Sequence, residues 1–215
     1  MAILFQIEFP RRILMNDKAV ENPKFHHFVI YKPYGYLSQF ITKSYEQRKK
    51  KFLGELYDFP EGTMSIGRLD EHSEGLLLLT TNGKVSRLIN GRKIEKEYYA
   101  QVDGLINEEA LEKLRTGVSI NVKGTQYLTK PCKVEIVKNL PDLPEGRRIR
   151  DERHGPTSWI SITITEGKYR QVRKMSAIVG FPTLRLVRFR VGTHNILEMK
   201  KGQVIKVDQF FESNS

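Results

Sequence analysis

Four leucines in a row, Leu76 to Leu79, form the longest purely apolar run of the chain, and GLLLLTT (75–81) reads as a strand buried on both faces. NGKVSRLI follows, so Asn82 is expected to cap a helix. IEKEYYAQVDG (94–104) alternates instead. Tyr98, Ala100 and Val102 fall on one face of that strand, and Glu97, Tyr99, Gln101 and Asp103 fall on the other. Asn107 caps a helix over EEALEKLRT, which Gly117 ends. WISITIT (159–165) alternates again, with Ile160, Ile162 and Ile164 on one face. HHFVIYK (26–32) is a further strand, closed by the turn signal Lys32-Pro33-Tyr34-Gly35.

The rest of the pattern is less regular. Residues 1–24 show no clear period and read as an arm. Residues 43–57 are rich in Lys and Arg and read as a basic, exposed helix or loop. Two or three strands are expected over 118–137, and a long surface loop over 138–157, where Pro141, Pro144, Gly146, Gly155 and Pro156 fall. KYRQVRKMSAIV (168–179) predicts a helix ended by Gly180, and LRLVRFRV (184–191) a strand. ILEMKKGQVIKV predicts a hairpin turning at Lys200-Lys201-Gly202. Strands outnumber helices and few are joined strand–helix–strand. This argues an α+β fold with a largely antiparallel sheet.

Charge narrows the function. Lys and Arg number 36 against 25 Asp and Glu, a formal charge of +11, and the pI is near 9.7. Such a surplus points to a polyanionic partner, most often nucleic acid. It is concentrated from Gly167 to Arg190, where seven basic residues meet no acidic one. In the predicted helix, Arg170, Arg173 and Lys174 share a face opposite Val172, Met175, Ser176 and Val179. A solvated face usually mixes signs, so this one reads as a phosphate-tracking surface. A single cysteine, Cys132, excludes an internal disulfide and a Cys-based zinc site. A reducing compartment, the cytoplasm, is expected. No run approaches the ~20 apolar residues of a membrane-spanning helix.

Two stretches carry candidate chemistry. IGRLDEHSEGLLLLTTNG (66–83) sets Asp70 in a polar turn before the buried strand, and EGKYRQVRKM (166–175) sets several cations at a helix start. Taken singly, the first reads as a cap and the second as a solvated face. Together, and with KEYYAQVDG (96–104) between them, they resemble the pseudouridine synthases of the RsuA/RluB/RluE/RluF group. The resemblance covers roughly Phe25 to Phe211. HHFVIYKPYGYLSQF, GPTSWISITITEG and VGFPTLRLVR look closest to the branch that modifies large-subunit ribosomal RNA.

The resemblance implies one catalytic domain over 25–212, with the pseudouridine synthase fold: a largely antiparallel central sheet in two lobes, flanking helices, and a central cleft. It implies Asp70 as nucleophile, Tyr98 stacked on the target base, Arg173 paired with the nucleophile, and Leu186 lining the pocket. Arg68, Lys96, Arg170, Gln171 and Lys174 are the accompanying substrate-binding candidates. Many relatives carry an N-terminal S4 domain. Residues 1–24 are too few for one, so RNA binding is expected of the catalytic domain, acting as a monomer.

These residue types suit the reaction. Isomerising uridine breaks the C1′–N1 bond, turns the base, and joins C1′ to C5. Nothing is gained or lost, so no cofactor or metal is expected. A carboxylate can act as covalent nucleophile, and a neighbouring guanidinium favours its charged form. The base must leave its stack, and an aromatic face replaces the lost stacking, worth roughly 1–3 kcal/mol. Two other readings compete. A non-catalytic basic RNA-binding module has no use for the Asp70–Tyr98–Arg173 set. A metal-dependent nuclease requires paired acids and histidines that the sequence does not offer.

Overall fold

The leucine run lies in the middle of the main sheet, where it has neighbours on every side. The computed structural model describes residues 25–42, 44–91, 93–146, 149 and 152–211. The arm expected over 1–24 lies outside them. The elements, in chain order, are β1 (His27–Lys32), β2 (Tyr36–Leu37), β3 (Lys51–Phe52), β4 (Met64–Ile66), β5 (Glu74–Thr80), α1 (Gly83–Gly91), β6 (Lys96–Asp103) and α2 (Glu108–Thr116). There follow β7 (Ser119–Val122), β8 (Thr125–Leu128), β9 (Lys133–Ile136), β10 (Thr157–Ile164), α3 (Gln171–Ile178), β11 (Thr183–Val191), β12 (His194–Asn195) and β13 (Val204–Val207).

The main sheet runs β13-β1-β5-β11-β6-β10-β9, with β4 added to β5 and β12 to β11. Its pairings are antiparallel except one. β5 and β11 run parallel and pair at two positions, Glu74 with Val187 and Gly75 with Arg188. Two antiparallel half-sheets therefore meet at a short seam. Gly75 makes that seam possible. Its φ is +105°, and a Cβ there would lie 2.3 Å from the Arg188 carbonyl oxygen. Past the seam, a side chain continues the join: Arg188 Nε donates to Leu76 O at 2.7 Å.

Both faces of the sheet are covered. Leu77 and Leu79 pack with Ile30, Ala100, Ile162 and Leu186 beneath α2 and α3. Leu76 and Leu78 pack with Tyr31, Val187 and Phe189 on the opposite face, against Ile89 of α1. Burying each leucine side chain contributes about 1.5–3 kcal/mol before opposing entropy. The caps form as expected. Asn82 Oδ1 accepts from the Lys84 and Val85 amides, and Asn107 Oδ1 accepts from the Ala110 amide at 2.9 Å.

Three expectations need correction. α3 begins at Gln171 and not at Lys168, because Arg170 adopts φ 52°, the left-handed region, and the helix cannot extend back through it. The terminal hairpin forms its turn, with Gln203 N bonded to Lys200 O, but not its ladder. Ile196 and Met199 are buried below the sheet in a turn, with Met199 N bonded to Ile196 O, and β13 instead pairs with β1, Ile30 opposite Val204. The 43–57 stretch is neither one helix nor one loop. It holds single 3-10 turns at Tyr45–Gln47 and Leu53–Glu55 around β3. The architecture remains α+β and largely antiparallel. No helix among the described residues is long and apolar enough to cross a membrane.

Candidate active site

A cleft of about 770 Å³ opens along the line where the half-sheets part. The loop between β4 and β5 forms one wall, and the turn entering α3 forms another. Asp70 sits in the first. That loop is pinned on both sides of it. Ser38 Oγ accepts from the Leu69 amide and donates to the Leu69 carbonyl, at 2.9 and 2.8 Å. Glu71 O accepts from the Gly35 amide, and the Asp70 carbonyl accepts from the Ser73 amide. The Asp70 side chain remains partly open to the cleft.

Arg170 provides the cation at this carboxylate, with Nη1 3.5 Å from Asp70 Oδ2. Its left-handed backbone turns the side chain out of the helix toward that wall. Such a conformation costs on the order of 1–3 kcal/mol and concentrates at functional sites. Arg173, expected as the partner of Asp70, lies elsewhere. Nη2 donates to His72 O at 2.5 Å and Nη1 to Thr183 O at 3.1 Å. It ties α3 to the loop that carries Asp70 and to the start of β11.

The turn preceding Arg170 is built by Gln171 and Glu166. Gln171 is buried, with Oε1 accepting from the Lys168 amide and Nε2 donating to Glu166 Oε1 at 2.5 Å. Glu166 also accepts from Tyr127 OH and the Lys130 amide. Burial pushes the Glu166 carboxyl up, yet these hydrogen bonds together bring it below its ordinary value.

Tyr98 and Leu186 line the cleft from β6 and β11 and are both buried, 8% and 5% exposed. Tyr99 faces the other way and packs its ring 4.7 Å from that of Phe189. Arg68 and Lys96 also line the cleft, Arg68 at its exposed rim and Lys96 deeper. Lys96 Nζ donates to Ile94 O, and burial lowers its pKa, with Arg188 adding to the shift. Lys174 lies outside. Its ammonium donates to Asn121 O and stands over the Tyr169 ring.

The cleft thus gathers Asp70, Tyr98, Arg68, Lys96, Arg170, Gln171 and Leu186, but not Arg173 or Lys174. The sequence reading missed Arg188 and Glu166, which also line it. It further missed Lys32, on β1. Lys32 is fully buried and donates to Pro33 O and Tyr36 O at 3.0 and 2.7 Å. Burial pulls its pKa down to about 7, Glu74 opposing the shift and Arg188 reinforcing it.

Relatives bear on this geometry. The family model for RNA pseudouridylate synthases matches residues 26–177, more than half of the chain. The chain is 43% identical over 164 residues to ribosomal large subunit pseudouridine synthase E of Xanthomonas axonopodis pv. citri, covering 75% of this chain and 83% of that protein. It is 37% identical over 196 residues to the enzyme of the same name from Vibrio parahaemolyticus, covering 90% and 75%. A crystal structure of a pseudouridylate synthase superposes with TM-score 0.67 at 25% identity, over 85% of this chain and 70% of that one. The fold, the ordered motifs and these relatives agree, and the chain belongs to the RNA pseudouridylate synthases, isomerases that act on RNA.

Proposed function

We propose that this chain converts a uridine of large-subunit ribosomal RNA to pseudouridine, with Asp70 as the nucleophile. The carrying observation is the placement of Asp70: a carboxylate in a pinned loop, a guanidinium 3.5 Å away, in the same cleft as Tyr98. The likeness to enzymes named for the large subunit supports the choice of RNA.

The uridine leaves its stack and enters between Tyr98 and Leu186. The Asp70 carboxylate attacks C1′, and the C1′–N1 electron pair departs with the uracil. The base turns, C5 bonds to C1′, and the carboxylate leaves. The C5 proton is lost and N1 gains one, so the atoms balance without a cosubstrate. Arg170, its guanidinium 3.5 Å from the carboxylate, aims it. Arg68 at the rim and Lys174 outside the cleft suit the phosphates of the surrounding RNA. The enzyme acts as a monomer in the cytoplasm.

Release of tritium from C5-labelled uridine in folded large-subunit RNA tests this reading. Wild type is expected to release it, and Asp70→Asn is not, while RNA affinity stays close to wild type. Comparable release by the Asn variant would remove Asp70 from the nucleophile role. A wild type that binds this RNA tightly and releases nothing would favour the non-catalytic module.

A further inference from the structure

Arg188 is 4% exposed, yet no described residue serves it as a counter-ion. Its hydrogen bond among the described residues is from Nε to Leu76 O, and no described carboxylate lies within 4.0 Å of it. Among the described residues its terminal N–H groups have no acceptor, and the residue lines the cleft. Strand alternation puts it on the face of Leu186 and Tyr98. Register sets it directly opposite Tyr98 across β11 and β6.

Two more cations lie nearby, Lys96 in the lining of the cleft and Lys32 behind it. Lys32 pairs in register with Gly75, and Gly75 with Arg188, so Lys32, Gly75, Arg188 and Tyr98 form one row across four strands. Gly75 puts no side chain between the two cations. Lys96 lies on the Tyr98 face two residues away, its ammonium bonded to a carbonyl and not to a carboxylate.

A buried cation without an anion costs several kcal/mol. Here the cleft it lines gives a ligand access to supply the charge. The RNA backbone meets the rim, where Arg68 lies, whereas the floor is reached by the base. Uracil enters neutral, but it carries a negative charge, spread over its O2 and O4 carbonyls, once the C1′–N1 bond has broken. Fixed donors aimed where charge develops in a dry site lower the barrier most.

We propose that Arg188, assisted by Lys96, binds the carbonyl edge of the uracil held against Tyr98 and stabilises the uracil anion while it turns. The proposal rests on the isomerisation reading above. The electron pair of the C1′–N1 bond passes to the ring, the two cations hold that charge, and it returns to C1′ when the C5 bond forms.

Two measurements test it. In single turnover, Arg188→Met is expected to slow isomerisation by about 100-fold, the usual cost of one such donor, with RNA affinity little changed. Arg188→Lys recovers part of that loss. Separately, 5-nitrouracil serves as a probe, because its absorbance reports whether its ring is ionised. Wild type is expected to bind it as the anion and lower its apparent pKa, and Arg188→Met abolishes that shift. This readout needs no turnover, so it stands apart from the Asp70 test. Where Arg188→Met does not fold, as judged by circular dichroism, Lys96→Met takes its place, with a smaller loss of both rate and shift. An unshifted 5-nitrouracil titration in wild type overturns the proposal, as does a rate loss matched by an equal loss of RNA affinity.

Discussion

The guanidinium that faces the Asp70 carboxylate belongs to Arg170, and that of Arg173 holds the carbonyl of His72, two residues beyond Asp70. One arginine acts on the charge and the other on the loop that carries it. The two are three residues apart, so a regular helix would present both on one side. The left-handed backbone at Arg170 separates their tasks.

This division sets the outcome of two substitutions. Arg170→Gly relieves the left-handed strain, so thermal stability is expected to hold or rise by about 1 kcal/mol while isomerisation falls sharply. Arg173→Ala removes two charged hydrogen bonds, each worth about 1.5–3 kcal/mol, and lowers stability and rate together. Melting curves beside single-turnover rates check the pair. A stable but inactive Arg173→Ala, with Arg170→Gly fully active, would reverse the assignment.

Tyr98 and Tyr99 are expected to differ in kind. Tyr98→Ala removes the face against which the base stacks, a loss of roughly 1–3 kcal/mol of base binding, and also opens a cavity in the core, so rate and stability fall together. Tyr99→Ala opens the contact with Phe189 on the opposite face and costs stability of about 1–3 kcal/mol, with the rate per folded molecule retained. Denaturant unfolding and tritium release, measured on both variants, separate the two.

Gly75→Ala tests the seam. The added methyl meets the backbone of Arg188, which no side-chain rotation can relieve. A loss above about 3 kcal/mol is expected, placing it among severe strain mutants. For a chain of this size that lowers Tm by roughly 6–12 °C. A Tm within error of wild type would show that β5 and β11 separate without cost.

Lys32 makes stability depend on pH. Its folded pKa is about 7 against an ordinary 10.5, so between those values the unfolded chain binds more protons than the folded one. Stability contributed at this site is therefore full above 10.5 and is lost as pH falls toward 7. Lys32→Met is expected to lack this slope. Urea unfolding of both proteins across the window gives a difference that shifts toward wild type as pH rises, and parallel profiles would contradict it.

Local pattern determined much of this molecule by itself. Alternation set the facing of Tyr98 and Ile160, because a strand has a period of two and one face must be dry. Asn107 and Gly117 marked the ends of α2, because capping is a contact between near neighbours. GRLD and QVR in order marked the cleft through resemblance. Tertiary structure decided what distant partners control. Val204 joins β1 and not the Ile196–Met199 segment, since the open edge of β1 offers a ladder that the local hairpin would have to forgo. Which arginine reaches Asp70 depends on one backbone angle at the entrance to α3. Arg188 read as one more cation on a basic strand, and its burial became visible only when the two half-sheets met at Gly75. The sequence shows that a charge is present, but whether water, a carboxylate or an empty cleft surrounds it is settled by chain segments brought together from far apart.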